Sequence, residues 1–411
     1  MKILINAYAC SPGMGSEPGM AWNWCIHLAK HCELHVITEG EFREKIEEVV
    51  PNLPQGKNMH FYYNPVSDDV RKMCWNQGDW RFYKYYREWQ WKTYLMAKEI
   101  CLKENIDILH QLNMIGFREP GYLWKLSEET GIKFVWGPIG GLKQFPLQYA
   151  EGKLKIKAFM WLKNMINIWQ LKYDKRVDAA MKQASLLISS IPDSYNAILK
   201  YKGLESVIIP ETGCFDLSAK QDIQNRFNGE KLRMIWVGKF DFRKRLDIAL
   251  KAVAKCNHQN IQLAVYGTGT EVQVENYKQL AEELGIDKQT VWMGAQPNDV
   301  VKKAMAESDL FIFTSVNDDT STVVLEALSY GLPVLCFDAC GMGYVINDSV
   351  GMIVKLSNPD QSVFDFADCI LYLNNNRNQL RDMSYDCLQR RIELSWDKKA
   401  EEMVKLYEST I

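Results

Sequence analysis

The sequence is short of every cysteine and histidine pattern that would hold a metal or a disulfide framework. Its 11 cysteines are scattered singly with no CxxC, and Cys336 and Cys340, the closest two, have neither a second pair nor a histidine nearby. That spacing argues against a zinc knuckle and against a disulfide-stapled fold. The six histidines, His27, His31, His35, His60, His110 and His258, form no HExxH motif. His27, His31 and His35 mimic a metal stripe at helical spacing, but a helix ending near His31 and a strand following it break the stripe, so no metal site is expected. No apolar run reaches the length of about 20 residues that a bilayer span needs. The first 19 residues, MKILINAYACSPGMGSEPG, carry too short an apolar stretch for a signal peptide and read as a strand entering a glycine-rich turn, which makes the cytoplasm the expected compartment. Excess charge is missing too. With 49 Lys+Arg against 51 Asp+Glu there is no basic footprint for nucleic acid, which is not an expected partner. Internal repeats and low-complexity tracts are also absent.

What is present is a chain of 411 residues, 47% hydrophobic, enough for two or three globular domains. Charge is divided unevenly along it, with 27 basic and 22 acidic side chains in residues 1–210 against 22 and 29 in 211–411. Ten of the 13 tryptophans lie before position 170. Two halves with different surfaces imply two domains with different partners. Short apolar runs alternate with amphipathic stretches throughout, the pattern of βαβ units and parallel sheets. Strands are expected at KILINAY, HVIT, HFYY, ILHQLN, KFVWGPIG and SLLISS, then again at LRMIWVGKF, IQLAVYGTG, TVWMGA, LFIFTS, PVLCFD and MIVKL. The fold class is therefore α/β, two Rossmann-like doubly wound domains, 1–205 and 216–394, facing each other across a cleft at the carboxyl ends of their strands. The stretch 207–231 reads as the linker. A last helix, SWDKKAEEMVKLYES, carries Trp396, Ala400, Met403 and Leu406 or Tyr407 on one face, and the crossover 395–411 would return to the first domain or its junction.

Three segments carry chemistry. SPGMGSEPG, with Gly13, Gly15 and Gly19, leaves backbone amides free to approach a phosphate at a helix start, although its GxGxxxG spacing departs from a dinucleotide fingerprint and HVITEG, offering only Glu39, does not end the second strand in the acid that a dinucleotide ribose requires. VGKFDFRKR sets Lys239, Arg243, Lys244 and Arg245 in one loop after a strand, where four cations suit a diphosphate and equally suit a solvated basic loop. In LFIFTSVNDDTSTVVLEALSYGLPVLCFDACGMG a strand ends near Ser315. Asp318 and Asp319 follow, Thr320, Ser321 and Thr322 offer capping hydroxyls, and Glu326 lies inside the next helix among apolar neighbours. A carboxylate held there accepts hydrogen bonds from sugar hydroxyls. Gly267, Gly269, Gly341 and Gly343 end other strands, where glycine is usually a turn.

Taken in order, VGK with RK, YGTG, VWMG and Asp318 eight residues before Glu326 in LEALSYGLPV, the chain resembles glycosyltransferase family 4, retaining enzymes of the GT-B fold, over nearly its whole length. The resemblance implies that Lys239 and Lys244 neutralise a donor diphosphate, with lysine at the first position where the family has arginine. It also implies that amides near Gly15 and the helix start at Thr320, Ser321 and Thr322 assist them. Glu326 would hold the ribose and Asp318 the transferred sugar. Gly267 and Gly294 would lie by the donor base. Asp319, Thr320 and Ser321 replace the family's glycines, and Tyr344 stands where its later glutamate would be. DILHQL supplies His110 near the position of the family's active-site histidine, with Leu112 in place of a second one; a catalytic and a packed His110 are both open. Glu17 and the VWGPIGG loop, with Gly140 and Gly141, would line the acceptor side.

The function implied is transfer of a sugar from a UDP- or GDP-type nucleotide sugar to a glycan or lipid-linked acceptor in surface polysaccharide synthesis, with no cofactor and no metal requirement. A nucleotide-sugar epimerase of the same architecture and a non-catalytic nucleotide-sugar-binding protein are the alternatives. Residues 152–182, with eight basic and two acidic side chains around Phe159, Trp161 and Trp169, read either as a helix resting on an anionic membrane or as one packed into the first domain. The aromatic run from Trp75 to Tyr94 reads as an acceptor platform or as a packing face.

Overall fold

The structure is a computed structural model that describes residues 1–76, 79–150, 154–215 and 223–411. The chain divides into two compact units, one of Met1–Lys143, Met165–Glu211 and Trp396–Ile411, the other of Gln144–Asn164 and Thr212–Ser395.

The first unit is built on β1 (Lys2–Ala7), β2 (Glu33–Thr38), β3 (Met59–Tyr63), β4 (Ile108–Asn113), β5 (Lys133–Ile139), β6 (Leu186–Ser189) and β7 (Val207–Ile208). They form one sheet in the order β3-β2-β1-β4-β5-β6-β7, every pair parallel. Strands such as β1 and β4 are buried along almost their whole length, which is why they read as near-continuous apolar runs without alternation. The two-residue β7 falls in the stretch assigned to the linker, too short to give a strand pattern of its own.

The second unit holds β8 (Leu232–Val237), β9 (Ile261–Tyr266), β10 (Thr290–Gly294), β11 (Leu310–Phe313), β12 (Val334–Asp338) and β13 (Gly351–Lys355), again all parallel, in the order β10-β9-β8-β11-β12-β13. In each sheet the strand order reverses direction beside the first strand, between β1 and β4 and between β8 and β11. Ligands of open α/β sheets bind beyond the strand ends at such reversals.

The domain boundaries differ from those read in the sequence. Position 216 lies outside the described residues, as do 151–153 and the Gln77–Gly78 step of the aromatic run. Residues 144–164 belong to the second unit, because Phe145, Tyr149, Ala150 and Met160 bury themselves in its core, Tyr149 Oη meets Ser362 Oγ at 2.8 Å, and Arg245 donates to the Tyr149 carbonyl at 3.0 Å. The last helix, Trp396–Glu408, packs within the first unit, where Trp396 stands edge-on to Trp24 at 5.7 Å and Tyr407 is buried. Its apolar face thus packs on the helix Ser16–Leu28.

The aromatic run splits by helical face. Phe82, Tyr86 and Trp89 pack with Tyr8, whereas Trp75, Trp80, Tyr83 and Trp91 are exposed. The helix Leu154–Tyr173 is not packed on its aromatic side: Phe159 is 64%, Trp161 54% and Trp169 61% exposed, and Leu162, Met165 and Ile166 are also exposed.

Candidate active site

In the second unit the loops that follow β8 and β11 interlock. Thr314 Oγ1 donates to the Lys244 carbonyl at 2.8 Å, and the Val316 amide donates to the Arg243 carbonyl at 2.9 Å. This backbone stitching brings Lys244 Nζ onto Asp318 Oδ2 as an ion pair, and Lys244 also lies over the Phe313 ring at 5.1 Å. Two residues 74 positions apart in sequence thereby meet at the reversal of the sheet.

The four cations of the first loop are not equivalent. Arg243 is occupied by Asp241 through contacts of 2.6 and 3.0 Å, and that pairing holds the Asp241 carboxyl below its usual range despite burial. Arg245 is buried, held by Asp247 at 2.8 Å and by the Tyr149 carbonyl, so it anchors the segment 144–164. The reading of four diphosphate ligands therefore narrows to the two lysines. Lys239 is exposed and its ammonium has no partner among the described residues.

Across from them, Ser321 begins the helix Thr322–Ser329 without a side-chain cap bond, and the buried Thr320 hydroxyl has no hydrogen-bond partner among the described residues. Neither hydroxyl serves as a cap in the way the sequence led one to expect. They are left, with Thr322 and the first amides of the helix, to meet an anion. Gly341, at the end of β12, packs against Thr320: a methyl group there would come within 2.9 Å of Thr320 Cα and Cβ. The glycine thus holds two loops together. Cys340 Sγ accepts from the Asp318 amide at 3.3 Å and backs the Asp318 loop. Tyr344 is exposed and turned toward solvent.

Glu326 sits one and a half turns into the helix with a side chain only 12% exposed. Burial pushes its carboxyl above the usual range, while Lys302, at 3.8 Å, opposes the shift. A carboxylate kept in that state gains from hydroxyl donors. Gly267 and Gly294 meet through a 2.8 Å backbone bond at the ends of β9 and β10. Gly267, at φ +149°, admits no side chain because a Cβ would run into the Gly238 carbonyl, so its role is to let β8 and β9 end side by side.

In the first unit the reversal between β1 and β4 carries a concave cavity of about 180 Å³ lined by Tyr8, Gly15, Glu17, Thr38, Trp75 and Met114, among others. A cavity of about 150 Å³ accommodates benzene, so this one takes a single six-membered ring. Gly15 precedes the helix Ser16–Leu28, and Glu17 lies in its first turn. Glu17 Oε1 accepts from the Ile115 amide at 3.2 Å, and the Ile115 carbonyl accepts from the Gly140 amide at 2.8 Å. Glu17, Gly140 and Gly141 are thus gathered on one side, with the Gly140 backbone used for pairing and Glu17 reaching the cavity. Glu39, fixed by Arg71 at 2.9 Å, completes the polar wall. No local pattern signalled Cys340 or Lys302, because each is supplied by an element distant in sequence; Glu39 was visible at the end of the second strand, but not its place in this wall.

His110 is not part of either constellation. It is fully buried, its Nε2–H donates to the Gly137 carbonyl at 2.7 Å, and its Nδ1 accepts from the Tyr407 hydroxyl at 2.6 Å. Both nitrogens are engaged, and burial lowers the ring to about 4 although the Gly137 bond opposes this. A ring with no free nitrogen and no charge near neutrality cannot shuttle a proton to substrate, so the catalytic reading of His110 is corrected to a packing one.

Residues 218–387 match the model of the family described as glycosyl transferases group 1. Among curated relatives, an uncharacterized glycosyltransferase of Methanocaldococcus jannaschii is 25% identical over 285 residues, 66% of each chain. A D-inositol 3-phosphate glycosyltransferase of Nocardia farcinica is 24% identical over 184 residues, 43% of this chain and 40% of the relative. The alignments therefore span less than two thirds of the length of these relatives. Among solved structures, Anabaena HepE in complex with UDP superimposes over 100% of both chains with a TM-score of 0.66 at 15% identity. Sucrose-phosphate synthase from Thermosynechococcus elongatus covers 99% of this chain and 98% of its own, with a TM-score of 0.67 at 14% identity. At those identities the structures speak to the fold alone. With the two parallel sheets described above, they give the chain a GT-B fold, and within it residues 218–387 are similar to glycosyl transferases group 1.

Proposed function

We propose that the chain transfers a sugar from a nucleotide diphosphate donor to a hydroxyl of a glycan or lipid-linked acceptor, with retention of configuration, in the synthesis of a surface polysaccharide. The observation that carries this reading is the meeting of Lys244 and Asp318 at the sheet reversal of the second unit, in the same loops as the exposed Lys239 and a Thr320 hydroxyl that has no partner among the described residues. As the glycosidic bond stretches, charge develops on the leaving diphosphate. Lys239, Lys244 and the helix start at Thr320 to Thr322 stabilise it through contacts that need little reorganisation. Lys244, held against Asp318, meets the phosphates, and Asp318 beside it orients the transferred sugar. Glu326 accepts from the ribose hydroxyls, and the base lies toward Gly267 and Gly294. The positive charge that a divalent ion would bring to the diphosphate is supplied here by the two lysines and the helix dipole, so the donor site is read as independent of metal.

The test is a thermal-shift series with UDP, GDP, ADP and TDP, each with and without EDTA. One nucleotide should raise Tm, by an amount equivalent to about 2.7 kcal/mol at 100 times its Kd, and EDTA should leave that rise unchanged. Indifference to all four removes the donor-site reading.

The acceptor side is assigned to the cavity bearing Glu17, with Gly140 and Gly141 behind it. The exposed face of the helix Leu154–Tyr173, where Lys155, Lys157, Lys163 and Lys172 flank Phe159, Trp161, Leu162 and Trp169, is read as a contact with an anionic membrane, which would set the enzyme at the inner face where lipid-linked acceptors lie. No helix among the described residues is long and apolar enough to cross a membrane. In flotation assays the full chain should rise with vesicles containing anionic lipid at low salt, and the Trp161→Ala/Trp169→Ala variant should stay behind. Equal flotation of the two proteins, or none for the parent, would discard the membrane contact.

A further inference from the structure

The helical stripe His27, His31, His35 is broken, as its sequence implied, but strand pairing builds a different cluster at the amino ends of β2 and β3. Glu33 and His35 are two residues apart on β2 and share a face, and parallel register sets His60 of β3 opposite His35. His35 Nε2 lies 3.4 Å from Glu33 Oε1, His60 Nε2 lies 3.4 Å from the same oxygen, and all three ligand atoms fall within 4.8 Å of one another. Ligands bound tetrahedrally to zinc at about 2.0–2.2 Å stand about 3.3–3.5 Å apart, so two of the three edges already have that length.

A second, separate observation points to a ligand. His35 is 2% exposed, and its Nε2 has no hydrogen-bond partner among the described residues. Its Nδ1 contacts the Tyr62 hydroxyl at 3.1 Å. If Nδ1 carries the proton and donates to Tyr62, Nε2 presents a lone pair to a carboxylate with nothing between them; the other tautomer turns its N–H toward Glu33 at 3.4 Å without the alignment of a hydrogen bond. A cation satisfies the first arrangement, and a ligand histidine whose second nitrogen is fixed by a neighbour is the usual outer-shell pattern of a zinc site. Lys2 also approaches Glu33 Oε1, at 3.1 Å, but its shorter contact is with Glu104 at 2.6 Å, so Lys2 keeps a partner when Glu33 turns to a metal.

We propose that Glu33, His35 and His60 form a binding site for a zinc-class divalent cation, with water in the fourth position. The site ties the edge strand β3 to β2 at the end of the sheet opposite the glycine-bearing loops, so its role is structural and separate from sugar transfer. Its test is spectroscopic. The full chain, stripped with chelator, should bind one equivalent of Co(II) with the visible d–d absorption of a tetrahedral ion. Zn(II) should displace it and raise Tm. His60→Ala, a change at a half-exposed side chain, should keep the metal-free Tm and weaken Zn(II) binding at least about 10-fold with loss of the band. Glu33→Gln should do the same. Absence of the band in the parent chain, or a band that survives both substitutions, overturns the site.

Discussion

Lys244→Ala should lower kcat with a competent nucleotide sugar by about 10²–10³-fold, the cost of about 2.7–4 kcal/mol that removal of one preorganised charge donor carries in other enzymes. Its backbone is fixed by the Thr314 bond to its carbonyl and its ammonium is held by Asp318 and over the Phe313 ring, so the ammonium has little freedom to lose when a diphosphate arrives. Such preorganisation favours the transition state, where the leaving group carries most charge, and the loss is therefore expected in kcat more than in KM. Lys244→Arg should fall between the two, since charge is kept and geometry is altered. Folding is not at risk, because Asp318 is partly exposed and tolerates the loss of its partner. Turnover of Lys244→Ala equal to the parent, with unchanged Tm, would sink the assignment of the donor site.

The buried His110 should make the protein less stable in acid by about 3 kcal/mol. In the unfolded chain the imidazole takes up its proton near 6.5; in the folded protein, where burial excludes the charge, it does so only near 4. Between those values the unfolded state binds the proton that the native state refuses, so this contribution is fully present above about pH 6.5, declines as pH falls, and is lost below about pH 4. A gap of about 2.5 pH units at 1.36 kcal/mol each gives the magnitude. Urea midpoints measured from pH 7 to pH 4 should fall more steeply for the parent than for His110→Gln, which has no ring to protonate. Identical slopes would mean that the ring is not held neutral by the fold. The same bond links strand and terminus: Tyr407 donates to His110, so loss of the last helix should expose the ring and abolish the effect.

Legibility followed the range of the interaction. All but one of the strands were readable, because parallel strands buried on both faces show as short apolar runs between amphipathic helices. The exception, β7, is two residues long and derives its place from pairing with β6 alone. Glu326 announced itself through apolar neighbours one helical turn away. Arg243 and Arg245 misled, since a loop pattern shows four positive charges but not that Asp241 and Asp247, each two residues away, occupy two of them. His110 misled for a longer-range reason, as its partners Gly137 and Tyr407 are 27 and 297 residues distant.

By itself, then, the sequence determined the elements: which stretches become strands, which loops carry lysines, carboxylates and hydroxyls, and that no cysteine framework supports them. These depend on side-chain period and local turn chemistry, which neighbours along the chain settle. Only the tertiary structure decided which charges are available, because availability depends on who is adjacent in space. Lys244 is set on Asp318 across a sheet reversal, His110 is sealed by the terminal helix, residues 144–164 are claimed by the second core, and three residues without a motif converge at the edge of the first sheet. Each of those outcomes is fixed by strand order and register, which bring together residues that no local window contains.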